Sequence, residues 1–77
     1  MTADHYAVIL VYATSHALRA EKILVQAGIP SRLIPVPRHL SSDCGVCLRI
    51  RQTDMEIARG ALTEAKLDFE GIYELSG

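Results

Sequence analysis

Two helical patterns, separated by 38 positions, constrain the fold of this 77-residue chain more than any other feature. Each pattern repeats apolar residues at a spacing that gives a helix one apolar face. The two apolar stripes consist of Ala17, Ala20, Ile23, Leu24 and Ala27, and of Met55, Ala58, Ala61, Leu62 and Ala65. The same displacement carries extended segments of the first half onto extended segments of the second. We therefore interpret the chain as two similar βαβ halves.

Four extended segments complete the two halves. Tyr6 to Tyr12 is continuously apolar and predicts a central strand that is covered on at least one face. Ser31 to Val36 predicts an edge strand, because a proline there removes no hydrogen bond from a central ladder. Val46 to Arg51 and Phe69 to Glu74 predict the third and fourth strands. The order βαββαβ is typical of the α+β ferredoxin-like fold, a four-stranded antiparallel sheet with two helices on one face.

Local signals predict where the two helices begin and end. Thr14 or Ser15 is expected to cap the start of the first helix, and Gly28 is expected just beyond its end. Thr53 and Glu56 have the spacing of a capping box at the start of the second helix.

Length and charge limit the functions that the chain can perform. Residues 1–77 are enough for a single domain, which buries too little surface for a large internal catalytic cavity. The formal net charge of −1 provides no basic field, so we expect no nucleic acid and no membrane as partners. No apolar run approaches the ~20 residues that span a bilayer, and no signal-peptide pattern is present. We therefore expect a cytoplasmic protein.

The segment from Pro35 to Arg49 contains the residues from which chemistry is most expected. Prolines restrict the backbone at the start of this loop, and Ser41, Ser42 and Asp43 favour local turns. Gly45 would allow a positive φ or a close backbone approach. The sequence therefore predicts that Cys44 is presented to solvent rather than buried.

The predicted fold gives Cys44 a specific surrounding. In a βαββαβ sheet the turn between the second and third strands lies where the first helix begins, near Thr14, Ser15 and His16. The unpaired N–H groups and the dipole of that helix end would favour a thiolate, the nucleophilic form of cysteine. Arg38 would add positive charge.

Cys47 forms a C-x-x-C pattern with Cys44, which is weak evidence when taken alone. Residues three apart on a strand point to opposite faces and lie about 10 Å apart, beyond the ~7 Å that a disulfide tolerates. Cys47 is therefore interpreted first as a packed side chain, with a role as a resolving thiol left open. The three histidines have no finger-like spacing, so we expect no metal and no cofactor.

The loop Pro35-Val36-Pro37-Arg38 through Ser41-Ser42-Asp43-Cys44-Gly45 resembles that of a bacterial family of small single-domain proteins, described as putative selenium/sulfur (Se/S) carrier protein-like. The resemblance spans nearly the whole chain and includes Ala17-Leu18-Arg19-Ala20-Glu21-Lys22 in the first helix. It implies a carrier that holds a persulfide or selenosulfide on Cys44, with sulfur or selenium donor and acceptor proteins as partners. Cys47 stands where a small residue such as alanine is expected.

A carrier function implies supporting roles for the neighbours of Cys44. Arg38 and the backbone N–H groups of Thr14, Ser15 and Gly45 would stabilise the charged sulfur. Ser41 and Ser42 would shape the loop or donate hydrogen bonds. His16 would assist proton transfer. The resemblance favours a carrier without turnover of its own over an enzyme. Two alternatives stay open, a Cys44/Cys47 dithiol redox module and a non-catalytic ligand- or protein-binding domain. A homodimer is also left open.

Overall fold

The computed structural model describes residues 5–40 and 44–75. Its strands are β1 (Tyr6–Leu10), β2 (Ser31–Pro35), β3 (Val46–Arg51) and β4 (Gly71–Leu75). Its helices are α1 (Thr14–Gln26) and α2 (Met55–Glu64), and a 3₁₀ turn at Gln52–Asp54 precedes α2. The predicted order βαββαβ is confirmed, and β3 has the predicted bounds. β1 ends two residues earlier than predicted, and β4 begins two residues later.

The four strands form one antiparallel sheet in the order β2-β3-β1-β4. The third strand therefore lies between the first and second, and β2 and β4 are the edges. This is the predicted ferredoxin-like arrangement. Pro35 ends the edge strand β2, where its missing N–H removes no bond from a central ladder.

Alternation along the strands separates two apolar clusters. Ala7 and Ile9 of β1 pack in the main core under the helices, whereas Val8 and Leu10 point to the opposite face of the sheet. The main core is completed by Val11, Ala17, Ala20, Leu24, Ile29, Cys44, Leu48, Ile50, Ala58, Leu62, Leu67 and Ile72. Both helices therefore cover the same face of the sheet, as predicted.

The two helices end in the same way, 38 positions apart. In α1 the N–H groups of Gly28 and Ile29 donate to the carbonyls of Val25 and Leu24, at 3.0 and 2.9 Å. This pair of bonds is a Schellman motif, and Gly28 has the positive φ of 77° that the motif requires. In α2 the N–H groups of Lys66 and Leu67 donate equivalently to Thr63 and Leu62, both at 3.0 Å, and Lys66 has φ 60°.

The starts of both helices differ from the predictions. Ala13, rather than Thr14 or Ser15, is the N-cap of α1, and no side chain caps this end. Asp54 is the N-cap of α2, also without a side-chain cap bond, so the expected capping box is not formed. The 3₁₀ turn places Thr53 inside a helical segment, where it cannot act as a cap. Among the described residues, neither helix has the length and apolar character needed to cross a bilayer.

Candidate functional site

Cys44 lies beside the start of α1. Its Sγ is 3.8 Å from Oγ1 of Thr14, the first residue of the helix. Either atom can donate the hydrogen in this contact. Since β3 runs antiparallel to both β1 and β2, the residue that precedes it meets the end of β1, from which the chain enters α1. The expected position of Cys44 is therefore observed.

The prediction that Cys44 is presented to solvent is wrong. Only 4% of the residue is accessible to solvent, and its side chain belongs to the main core under the helices. The physical reason is strand periodicity. A residue two positions before β3 points to the same face of the sheet as every second residue of that strand. The inward-facing series is Cys44, Val46, Leu48 and Ile50. That alternation is visible in the sequence and would have predicted the burial.

The first turn of α1 can stabilise negative charge. It contains no acidic residue, and no side-chain oxygen accepts a hydrogen bond from its N–H groups. The N–H groups of His16 and Ala17 both donate to the carbonyl of Ala13, at 3.0 and 3.1 Å. Those of Thr14 and Ser15 precede them and have no intrahelical acceptor. No carboxylate of the helix's own first turn therefore offsets the positive end of its dipole.

His16 lies in the same turn but faces another direction. Residues two apart on a helix do not share a face, so His16 does not lie alongside Thr14. Its Nδ1 is buried and has no hydrogen-bond partner among the described residues. A buried nitrogen without a partner costs free energy and needs an explanation. The structure therefore places His16 at the helix start without joining it to the Cys44 sulfur.

Two backbone bonds hold the described part of the loop before Cys44. The N–H of Leu40 donates to the carbonyl of Pro37 at 3.0 Å, and the N–H of Val36 donates to the carbonyl of Gly45 at 3.2 Å. Arg38 lies in the exposed turn between these bonds, and no hydrogen bond or ion pair joins it to the described part of the chain. Ser41, Ser42 and Asp43, which were expected to shape the loop, lie outside the described residues.

Gly45 does not have the conformation expected of it. Among the described glycines only Gly28 has a positive φ, and a Cβ built at Gly45 would meet nothing within 4 Å. Neither a left-handed backbone nor a close approach therefore requires glycine here. The role of Gly45 in the fold is the carbonyl that accepts the bond from Val36.

Two apolar residues of the loop were missed by the sequence analysis. Val36 and Leu40 are partly buried and pack against the small cluster formed by Val8, Leu10 and Cys47 on the sheet face away from the helices. They attach the loop to one face of the sheet while Cys44 inserts into the other. Their presence in an otherwise polar segment was the available signal.

Cys47 is a buried thiol on the opposite face of the sheet from Cys44. It is inaccessible to solvent, and its Sγ lies 3.9 Å from the carbonyl oxygen of Pro35. Burial, and to a lesser extent the nearby Cys44, raise the pKa of Cys47 from 9.0 to about 11. Cys47 is therefore protonated near neutral pH. Neither cysteine forms a disulfide.

Within residues 5–40 and 44–75, no group of three or more His, Cys, Asp or Glu side chains is arranged to hold a metal ion. Near the loop, the structure brings together the thiol of Cys44 and the start of α1.

Comparison with known families gives a match over most of the chain. The profile of the family described as "Putative Se/S carrier protein-like" matches residues 6–74, which is nearly the whole chain. The chain belongs to this Se/S carrier-like family. The match includes both βαβ halves and the loop that ends in Cys44. No curated protein and no solved structure matches the chain.

Proposed function

We propose that this member of the Se/S carrier-like family carries sulfur or selenium on Cys44, as a persulfide or selenosulfide, and transfers it to an acceptor protein. The observation that supports the proposal is the contact between Cys44 Sγ and Thr14 Oγ1 at the uncapped start of α1. A persulfide ionises to an anion, and helix N-termini stabilise anions through their free N–H groups and dipole. We further propose that the chain acts as one cytoplasmic domain.

Loading would follow the rules of thiol exchange. The thiolate of Cys44 attacks the outer sulfur of a donor persulfide, a new S–S bond forms at Cys44, and the donor's S–S bond breaks. The donor leaves as a thiolate and the proton stays on the transferred outer sulfur, so no external oxidant or reductant is consumed. Transfer repeats the step, with the acceptor thiolate as nucleophile and Cys44 as leaving group.

The burial of Cys44 would control when these steps occur. A sulfur that is 4% accessible cannot meet a second protein's thiolate until the loop opens. Exposing Cys44 requires opening of the loop only, which costs less than unfolding of the sheet. In the closed form the carried sulfur would be shielded from small thiols. We propose that donor and acceptor proteins select the open form.

Cys47 would remain a reduced thiol during this cycle. Its raised pKa makes it a poor nucleophile at neutral pH, and it packs on the other face of the sheet. Arg38, Ser41 and Ser42 would contact the partner protein or the carried anion when the loop opens, with Gly45 and His16 beside them. These roles belong to the proposal.

Intact-mass spectrometry after incubation with a cysteine desulfurase and cysteine tests the proposal. We expect a gain of about 32 Da in the native chain, the mass of one added sulfur. Cys44→Ser should abolish the gain, and Cys47→Ser should retain it. The same reaction is run on the chain after partial unfolding. If the partially unfolded chain gains the sulfur and the native chain does not, the result would contradict a carrier function.

The same spectrum separates the alternatives. A dithiol redox module would lose about 2 Da as Cys44 and Cys47 form a disulfide, and it would do so without a sulfur donor. A binding domain without thiol chemistry would show neither change.

A further inference from the structure

We propose that the sheet carries a second site, separate from Cys44, which binds a small ligand with two or more negative charges through a cluster of arginines. The cluster consists of Arg32 on β2 and Arg49 and Arg51 on β3, with Tyr6 on β1. It is assigned from strand register, an aromatic contact and a cavity, and it does not depend on the proposed carrier function.

The register places these side chains on the face of the sheet away from the helices. Arg49 and Arg51 alternate with Leu48 and Ile50, which point into the main core. Arg32 is directly opposite Arg49 in the β2–β3 pair, and Tyr6 is directly opposite Arg51 in the β1–β3 pair. All four side chains therefore point to the same side.

Arg32 and Arg49 place two positive charges directly opposite each other, and such a pair needs a compensating partner. Side chains that face each other across an antiparallel pair have Cβ atoms about 5 Å apart, and like charges there are destabilising. Arg51 has a carboxylate partner, because its Nε lies 3.2 Å from Oδ2 of Asp54. Within the described part of the chain, Arg32 and Arg49 have no acidic partner.

Tyr6 holds Arg49 in a defined orientation. The guanidinium carbon of Arg49 lies 4.2 Å from the centre of the Tyr6 ring, a cation–π contact. A cation–π contact does not consume N–H donors, and the N–H edges of a guanidinium group match the oxygens of a carboxylate or phosphate in bidentate geometry. The contact therefore restrains Arg49 beside Tyr6 without using its hydrogen bonds.

A cavity of about 390 Å³ lies at these side chains. Its lining includes Tyr6, Arg32, Arg49 and Arg51, and among the described residues the lining has no acidic side chain. Cavities of roughly 300–1,000 Å³ are typical of small-molecule sites. The volume favours a single small anion over a polymer, and the net charge of −1 gives the molecule no general attraction for nucleic acid.

The site is distinct from the cysteine loop. Cys44 precedes the first residue of β3, whereas Arg49 and Arg51 lie at the other end of that strand. At ~3.3 Å per residue the strand separates the two regions by roughly 16 Å. Ligand binding at the arginines can therefore be measured in a Cys44→Ser chain, in which failure of the carrier function cannot affect the result.

The experiment is a titration of the full Cys44→Ser chain, followed by backbone amide chemical shifts at constant ionic strength. Pyrophosphate and citrate serve as phosphate and carboxylate probes, and chloride serves as the reference. We expect saturable shifts at Arg32 and Arg49 with at least one probe, and the tighter of the two identifies the preferred oxyanion. Arg49→Met should weaken that binding at least about tenfold, because a charged fork is lost.

Two variants complete the test. Arg59→Gln removes an exposed arginine from α2, on the helical side of the sheet, and should bind the probe as the parent chain does. Arg32→Gln should weaken binding but raise the melting temperature without ligand, since it removes the repulsion with Arg49. Equal weakening in Arg59→Gln, unchanged binding in Arg49→Met, no saturable shift with either anion, or shifts only with a single-stranded oligonucleotide would each overturn the proposal.

Discussion

Thr14 Oγ1 and Cys44 Sγ lie 3.8 Å apart, and this contact joins the first turn of α1 to the segment just before β3. Thirty positions separate the two residues in sequence. The contact depends on the antiparallel pairing of β3 with both β1 and β2, which returns the chain to the end of β1. It also lies at a helix end that has no side-chain cap and no acidic residue in its first turn. Under the proposed function, the sulfur carried on Cys44 would lie at this helix end.

Replacing Thr14 should speed the alkylation of Cys44 without moving the sulfur in the chain. Thr14→Val keeps the shape of the side chain and loses the hydroxyl, whereas Thr14→Ser keeps the hydroxyl. In a Cys47→Ala background, we expect iodoacetamide to alkylate Cys44 about two- to tenfold faster in Thr14→Val, because the closed form then lacks one modest hydrogen bond to the sulfur and opens more often. Thr14→Ser should react at the parent rate. Equal rates in the two variants would show that the hydroxyl does not act on the sulfur.

Loosening the loop should expose Cys44. Leu40 packs against the small cluster on the sheet face away from the helices and attaches the loop there. In the Cys47→Ala background, Leu40→Ala should speed alkylation of Cys44 by about fivefold, because it lowers the free energy of local opening by roughly 1 kcal/mol. The measurement is the alkylation rate by mass spectrometry in the absence of denaturant.

Gly28→Ala provides the matched control for loop opening. It destabilises the end of α1 by a similar amount and contacts no part of the loop. If alkylation requires only local opening, Gly28→Ala should leave the rate unchanged. A rate that rises equally in both variants would mean that Cys44 reacts through global unfolding.

The sequence was sufficient to predict the architecture because two independent patterns agreed. The helical stripe repeated after 38 positions, and the buried residues Ala20 and Leu24 correspond to Ala58 and Leu62. The alternation of residues along β3 determined which face of the sheet each of its side chains points to. Patterns that depend on burying one face are reliable, because a slip by one residue would turn every apolar side chain to water.

The details that failed depend on how separate elements meet. The caps at Thr14 and Thr53 were predicted from local propensity, but the chain enters α1 through Ala13 and enters α2 through a 3₁₀ turn. The exposure of Cys44 was inferred from the polar residues around it, although the alternation of β3 continues through it and points inward. Loop composition describes a segment, whereas the facing of one side chain in it is set by the strand it joins.

The raised pKa of Cys47 should make stability fall at high pH. The folded protein holds the Cys47 proton up to about pH 11, whereas the unfolded thiol releases it near 9.0. Between those values the folded state binds more protons, so the free energy of unfolding decreases as pH rises, by at most about 2.7 kcal/mol. Below pH 9 the contribution is fully present. Urea titrations of the parent and Cys47→Ala chains from pH 8 to pH 11 isolate the effect, because other groups titrate alike in both.

A Cys47→Ala chain that lost stability as steeply as the parent over this range would contradict the assignment to Cys47. The comparison requires reduced protein throughout, since neither cysteine is in a disulfide.

Exchanging residues at the two Schellman motifs should change stability in opposite directions. Gly28 and Lys66 occupy the same position in the two halves, with φ of 77° and 60°. A left-handed backbone is costly for a residue with a Cβ, so Lys66→Gly should stabilise the fold by about 0.5–1 kcal/mol. Gly28→Ala should destabilise it by about 1 kcal/mol, entirely through the backbone, because an added Cβ there meets no atom within 4 Å. Urea denaturation measures both changes. A destabilising Lys66→Gly would mean that the lysine side chain makes a contact that outweighs the strain of its backbone.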